Sequence, residues 1–562
     1  MAQRSSFDLE HLLYAGTLVF ALALRVPGLG TLPLTEQEAA VAVPAYQLST
    51  GQAVDLGADP AYFLLTSLLF AILPSNEFLA RFWPALFGIA LVLLPYFWRD
   101  TLGRKPAVLL SFALAIDPGM VAVSHLASGR MLALSAALFA LTAWRHKQPV
   151  AAGILAAVAL LSAPTLYIGI LAFALTRFLS ASRNAKSEKQ ELRPAIIAGA
   201  ATLLFGGTLF FTAPQGLSGV GNVASGFLQG WWQGPGVGML GILFALVGYA
   251  LPALVFGLIG GVRAWTQDLS FGRNLSLFAL FALMLVIVYP GRQVADLLWV
   301  SLPLWALAAQ EISRYLQIPE EERRAAFGTM SLVLLLGIFF YLTLAKLTFN
   351  EIGSEAFQNY LLVAGAVLLL GLLATVLISF GWSRRAASNG LVWALLILFG
   401  ISLLSASARF ARQTSIAANE LWAPGPAAGQ SSLLIANLND LSSRQEGGTL
   451  QAVPVDLRTE SAALQWAVRD WPEDSGDGNL SPDLFVTLAD AQPEEAATYR
   501  GQTFALKVQR AWADFPPNVF SWLLYRQAPT FKQEAVLWAR LELFPDGALF
   551  LQTESDSGET LE

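Results

Sequence analysis

The sequence predicts a polytopic α-helical membrane protein of about 13 spans with a C-terminal extracytoplasmic α/β domain. Composition is the first reason. Of 562 residues, 55% are hydrophobic and only 13% charged, and mean hydropathy is +0.55. Soluble domains are about a quarter charged. Charge distribution is the second. Residues 1–408 hold 23 Lys/Arg against 19 Asp/Glu, whereas residues 409–562 hold 11 against 21. An apolar, slightly basic part is therefore joined to an acidic, water-soluble part. A disordered chain, a nucleic-acid binder and an ordinary soluble enzyme are excluded. The chain has no cysteine, so disulfides, thiolate metal sites and a cysteine nucleophile are excluded too. Three histidines (His11, His125, His146) argue against a histidine zinc site.

Each span follows from an apolar run of roughly 20 residues. Such runs lie near 10–27, 80–98, 106–124, 129–146, 149–163, 164–181, 194–212, 236–261, 275–290, 295–312, 328–348, 359–381 and 389–408. The first ends in Leu24-Arg25-Val26-Pro27, without a small-x-small cleavage site, and reads as a retained anchor. One further run, 61–74, is short for a crossing. Positive charge settles how to count it. If 61–74 does not cross, one side collects eighteen Lys/Arg, among them Arg99, Arg104, Lys105, the five between 177 and 193, and Arg384-Arg385. The other side keeps only Arg25, Arg81, Arg130, Arg292 and Lys346. A crossing at 61–74 would reverse that bias. The reading is a multi-pass plasma (inner) membrane protein, with a cytoplasmic N-terminus, domain 1–408 in the membrane and domain 409–562 outside.

Two long external loops result. Loop 28–79 opens with Pro27, Gly28 and Gly30. Thr35 and Glu38 then stand in capping-box register, which predicts a helix from Glu36 to about Leu48 despite Pro44. Asp59-Pro60 starts a second, interfacial helix. Loop 213–235 is Gly-rich and carries Trp231-Trp232, a pair suited to the headgroup layer. In the tail, Ser432–Ala436, Thr449–Val455 and Leu484–Leu488 read as strands, and Glu460–Asp470 and Pro493–Tyr499 as helices.

Charges at the membrane surface are costly and point to function. The external face offers Glu36, Glu38, Asp55, Asp59, Arg81, Arg130 and Arg292. Carboxylates can take a proton from an acceptor hydroxyl, and arginines can hold a phosphate. Each has a plainer reading as well. Glu38 is explained by the capping box, Glu36 by the helix dipole, and Arg81 by snorkelling to the interface. Asp117-Pro118 reads as a turn. His125 reads as a buried interfacial residue or a substrate contact. Asp296 and Glu311 lie near span ends and are expected to face water or headgroups.

Thr35-Glu36-Gln37-Glu38-Ala39-Ala40 followed by Leu48-Ser49-Thr50-Gly51 resembles the first external loop of GT-C class membrane glycosyltransferases. The relatives are the protein mannosyltransferase and aminoarabinose transferase group, family 39-like. Leu79-Ala80-Arg81-Phe82-Trp83-Pro84-Ala85-Leu86-Phe87-Gly88 resembles their Arg-containing second span, and Leu102-Gly103-Arg104, Ile116-Asp117-Pro118 and Ser124–Leu132 continue the match. Ser461–Trp471 and Val536–Phe544 look like the external domain of a flippase-associated branch. The resemblance implies a GT-C-like fold and transfer of a sugar from a polyprenyl-phosphate donor to a lipid, glycan or protein acceptor outside the cytoplasm. It implies Glu36 as general base and Arg81, Arg130 and Arg292 as phosphate ligands. Glu38, Asp59 and His125 join the substrate-binding set, and a divalent metal is a possible cofactor. The chain departs from the family pattern at Gln37, where a second acid is usual, and at Met131-Leu132, where an acid usually follows the arginine. The histidine-proline motif expected near 60–63 is also missing. A non-catalytic lipid-glycan binding or scaffold subunit is therefore the alternative, and a transporter or flippase the third reading. The tail would serve a further partner.

Overall fold

The computed structural model describes the chain except residues 1, 53, 56, 182–190, 234–235, 413–417, 424, 445–453, 473–482, 492–497 and 545–562. Every apolar run read from the sequence is largely helical, although residues 207–212 of the run 194–212 form turns. Among the described residues, six helices are long and apolar enough to cross a membrane: Glu77–Phe97, Met239–Thr266, Ser270–Val288, Glu320–Leu347, Glu355–Gly381 and Arg384–Arg412. Arg104–Ile116 and Pro118–Ser124 together meet the same test across a 54° bend. The bend has a covalent cause. Pro118 has no N–H to continue the ladder, and Asp117 takes extended backbone angles and caps Met120 N–H at 2.8 Å. The other apolar helices, such as Pro149–Leu160 and Leu166–Ala181, are shorter.

The outer faces of Arg323–Leu347 and Glu355–Gly381 are apolar and bare. Leu362 is 72% exposed and Leu369 64%. In water such a belt would drive aggregation; in a bilayer it is the lipid face. The interior is closed by Met239–Thr266 against Leu298–Ile312. A Cβ on Gly257 or Gly260 would come within 2.7 or 2.6 Å of the carbonyls of Leu304 and Leu307, so these glycines let the backbones approach.

Two acids depart from expectation. Asp296 and Glu311 do not face water; both are buried. Asp296 forms a reciprocal capping box with Gln293, accepting its N–H at 2.8 Å. Glu311 accepts from Arg263 at 2.7 Å and from the Tyr315 hydroxyl at 3.2 Å. Burial is tolerated because each carboxylate is hydrogen-bonded.

The tail contains a five-stranded sheet built from β1 (Ala427–Ala428), β2 (Val455–Leu457), β3 (Leu484–Leu488), β4 (Tyr499–Arg510) and β5 (Thr530–Arg540). The order is β1-β4-β5-β3-β2, with β2 and β3 parallel and the other pairs antiparallel. Leu434, Leu438 and Leu464 from helices Ser431–Arg444 and Ala462–Ala467 cover Leu484, Val486, Phe504 and Leu537 of the sheet. The strand expected at Ser432–Ala436 is instead part of Ser431–Arg444. Its buried residues Leu434, Leu438 and Leu441 recur at steps of four and three, a helical period that a short apolar run conceals. Strand β3 matches its expected span, and a helix occupies part of 460–470. Most of the helix expected over Pro493–Tyr499, and residues 449–453 of the expected strand, lie outside the described residues.

Candidate functional site

The first external loop is organised by one buried ion pair. Helix Glu36–Ser49 begins at Thr35, whose side chain and Glu38 form the predicted capping box. Glu38 also reaches Arg81. Arg81 Nε donates to Oε1 at 2.8 Å and Nη2 to Oε2 at 2.9 Å. The remaining donors of Arg81 go to the carbonyls of Leu29 (2.8 Å), Leu32 (2.9 Å) and Pro33 (3.1 Å). Glu38 further accepts Ala127 N–H at 3.0 Å, so the pair ties three segments together. Burial alone would raise the Glu38 carboxyl; Arg81 and the N–H groups of Thr35 and Ala127 outweigh it and hold the group below its usual range. All five guanidinium donors of Arg81 are thus used inside the fold.

Glu36 is committed too. Its Oε2 accepts from the Ser461 hydroxyl at 2.8 Å and its Oε1 from Ala462 N–H at 2.6 Å. It therefore holds the first N–H of tail helix Ala462–Ala467 and the hydroxyl of its N-cap, Ser461. Neighbouring contacts extend this latch: Trp466 Nε1 donates to Glu77 at 3.0 Å and Arg469 Nη2 to the Ser75 carbonyl at 2.8 Å.

Between the loop, the end of helix Arg384–Arg412 and the tail sheet lies a cavity of about 460 Å³. That is within the size range of small-molecule sites, roughly 300–1,000 Å³. Glu38, Arg81 and His125 line it on the membrane side, and Arg409, Glu420 and Trp422 on the tail side. The His125 Nδ1 lies 2.9 Å from the Val121 carbonyl. Desolvation pushes the imidazole down to about 4, although that carbonyl opposes the shift. Glu420 is held by the Tyr249 hydroxyl and, at 3.5 Å, by Arg526.

Asp59 and Arg130 lie beside the 125–129 turn, within electrostatic reach of each other. Asp59 precedes Pro60 but makes no cap to its own helix. Its Oδ2 accepts Gly129 N–H at a long 3.4 Å. Desolvation raises its carboxyl above the usual range, against the pull of Arg130 and of that N–H. Arg130 opens helix Arg130–Arg145 and lies within electrostatic reach of both Asp59 and Asp296. The turn is tight: a Cβ on Gly129 would fall 1.8 Å from the Ser162 carbonyl. Arg292 is placed apart. Its Nη1 donates to the carbonyls of Ile287 and Tyr289, both at 3.1 Å, beside the Phe227–Tyr289 ring stack.

The predicted residues thus divide into a loop clamp (Glu38–Arg81, with His125 alongside), a tail latch (Glu36), an acid–base pair (Asp59–Arg130) and an outlying arginine (Arg292). Among the described residues, no three His, Asp or Glu side chains converge as metal ligands. Sequence reasoning missed Arg409, Glu420 and Trp422, which reach the cavity only through long-range folding. It saw Asp296 but misplaced it; the Gln293…Asp296 capping spacing was the available signal.

No family model and no curated protein sequence matches the chain. Solved structures do. ArnT from Cupriavidus metallidurans bound to undecaprenyl phosphate is similar at 13% identity and a TM-score of 0.57, over 95% of this chain and 98% of that one. The apo form of the same ArnT gives 13% identity and a TM-score of 0.55 over the same shares, 95% and 98%. The apo oligosaccharyltransferase of Archaeoglobus fulgidus gives 13% identity and a TM-score of 0.45, over 85% of this chain and 69% of that one. The likeness to ArnT, an aminoarabinose transferase, shows a GT-C-type fold in a multi-pass membrane protein.

Proposed function

We propose that this chain is a GT-C glycosyltransferase of the plasma (inner) membrane. It takes a sugar from a polyprenyl-phosphate donor and passes it to a hydroxyl of a lipid, glycan or protein on the extracytoplasmic side, where the tail also lies. The observation that carries this reading is Asp59, buried with a raised carboxyl and weakly bonded to Gly129 N–H, within electrostatic reach of Arg130 at the start of a 16-residue helix. Arg130 and the positive end of its helix suit a phosphate. Asp59 has a raised carboxyl and one weak hydrogen-bond donor, which suits a base.

In this scheme Asp59 takes the acceptor proton as the acceptor oxygen attacks the anomeric carbon. The bond from that carbon to the phosphate oxygen breaks, and polyprenyl phosphate leaves against Arg130. Asp59 replaces Glu36 as the proposed base, because both Glu36 oxygens hold the tail helix. Arg81 serves as a clamp for residues 29–33. No step uses a metal ion.

One observation favours a second reading, a non-catalytic lipid-glycan binding subunit: Glu36 and Glu38 are both spent on structure. Purified protein offered polyprenyl-phosphate sugars and a mixed acceptor pool separates the two. Release of free polyprenyl phosphate supports the transferase. Retention of intact donor, seen by native mass spectrometry, supports the binding subunit.

A further inference from the structure

Helices on one side of the membrane domain are too short for a bilayer that those on the other side span with length to spare. The hydrocarbon core is roughly 30 Å thick, and a helix rises about 1.5 Å per residue. Arg323–Leu347, Glu355–Gly381 and Arg384–Arg412 have 25, 27 and 29 residues and run about 38 to 44 Å. Pro149–Leu160 has 12 residues and runs about 18 Å. Beside it Arg193–Gly206, nine α-helical residues and then five π-helical, runs at most about 21 Å. The two short helices are packed level. A Cβ on Gly153 would lie 2.1 Å from the Ala195 carbonyl, and one on Gly207 3.5 Å from the Leu161 side chain. Both start at an exposed basic border, Arg145-His146-Lys147 before one and Arg193 at the head of the other. The shortfall of about 9–12 Å therefore falls at the external end.

The stop is built into the backbone. Leu209, Phe210 and Phe211 take left-handed angles in succession (φ 47°, 55° and 70°), which bulky residues rarely adopt, and they turn the chain back. A Cβ on Gly216 would fall 1.6 Å from the Gly207 carbonyl, so the returning segment closes on the helix end. Thr212, Gln215 and Ser218 of that segment are exposed beside Phe210 (76% exposed), Phe211 (58%) and Leu217 (62%). Irregular backbone and bare polar side chains do not sit in hydrocarbon, and a cluster of bare phenylalanines does not suit water. A headgroup boundary at this level satisfies both.

We infer that the outer leaflet is thinned by about 9–12 Å at this corner, with Phe210 and Phe211 dipping into acyl chains beneath the lowered headgroups. The apolar surface they extend is continuous with the exposed face of the helix below, which carries Ile196, Ile197 and Phe205. The candidate site lies at the same level. Arg130 and Arg145 are the two ends of one 16-residue helix, so Arg130 stands about 24 Å from the basic border. Ala61 N–H donates to the Leu161 carbonyl at 2.7 Å, and a Cβ on Gly219 would lie 3.2 Å from Pro60. A headgroup on the lowered surface is thus level with Asp59 and Arg130, and a lipid-borne phosphate reaches them without leaving the bilayer. That use rests on the transferase reading; the thinning rests on helix lengths and the 207–218 turn.

The chain has no cysteine, so single cysteines can carry nitroxide labels. The test is EPR depth measurement, oxygen against a nickel chelate, on the full-length protein in dioleoyl phosphatidylcholine vesicles. Phe205→Cys and Leu335→Cys place labels at the thirteenth residue after an initial arginine, counting Arg193 and Arg323 as first, and both positions are exposed. Ile197→Cys and Phe327→Cys place labels at the fifth, also exposed. The lower pair should read equal depths from the inner headgroups. In the upper pair, the label at position 205 should read about 9 Å closer to the outer headgroups than the label at position 335. Equal depths in the upper pair would overturn the inference. So would an equal offset in both pairs, which describes a displaced helix in a flat bilayer. A label at position 205 shielded from both reagents would overturn it too, because a protein surface would then cover the corner. The expected depths with no polyprenyl phosphate bound in native mass spectrometry would uphold the thinning and remove the transferase use of it, so the two fail separately.

Discussion

Glu38→Gln is the substitution that the loop geometry constrains most tightly. Oε1 of Glu38 accepts from Arg81 Nε and Ala127 N–H at 2.8 and 3.0 Å. Oε2 accepts from Arg81 Nη2 at 2.9 Å and from Thr35 N–H and hydroxyl at 3.0 and 3.1 Å. Glutamine offers one oxygen and one NH₂. Whichever way it turns, at least two donors face the NH₂, and the Arg81 charge stays buried without a counter-charge. Both side chains are 3% exposed, so water cannot repair the site. Breaking one partner of such a pair costs about 3–5 kcal/mol. Equilibrium unfolding in mixed micelles measures it. Adding Arg81→Leu to Glu38→Gln should then cost far less than the sum of the two single changes, because the uncompensated charge is gone. Wild-type stability in Glu38→Gln, or strict additivity in the cycle, would refute the claim that this pair holds the loop.

Four further outcomes follow from the same contacts. Because the Glu38 carboxyl is held below its ordinary 4.5, its contribution to stability is complete above that pH and is lost as pH falls below it; the stability gap to Glu38→Gln should therefore close only in acid. Asp59→Asn should raise stability at neutral pH by about 1 kcal/mol, because a carboxyl with a raised folded pKa destabilises the fold once ionised, yet it should abolish transfer. Glu36→Ala should speed hydrogen exchange over residues 461–468, whose helix keeps its Ser461 cap but loses the carboxylate on its first N–H, by a local cost of about 1 kcal/mol, with less effect on transfer than Asp59→Asn. Gly129→Ala must move the turn away from the Ser162 carbonyl, 1.8 Å from the new Cβ, and with it Arg130; donor binding should weaken at least tenfold by native mass spectrometry.

That the chain is mostly apolar helix was legible because it depends on local composition, and Thr35…Glu38 announced a cap that the structure contains; among the described residues six helices, or seven with the bent pair, reach spanning length, against the thirteen spans expected. Roles at the site were less legible. Glu36 looked like a base from its place in the loop, but its partners Ser461 and Ala462 lie more than 400 residues along the chain. No local pattern carries that contact. Arg81 suffered the same fate, since three of its partners are backbone carbonyls, which sequence does not distinguish. Asp59 gained weight for the opposite reason. Asp-Pro reads as a routine helix entry, and only the folded chain turns its carboxylate toward Gly129 and Arg130.

The most direct test follows the release of polyprenyl phosphate from a polyprenyl-phosphate sugar by wild type and by Asp59→Asn, with bound donor counted in both by native mass spectrometry. The account predicts release by wild type, and full occupancy without release in Asp59→Asn. Equal release by both would remove Asp59 as the base. Donor bound by wild type with no release to any acceptor would make the chain a binding subunit and contradict the transferase.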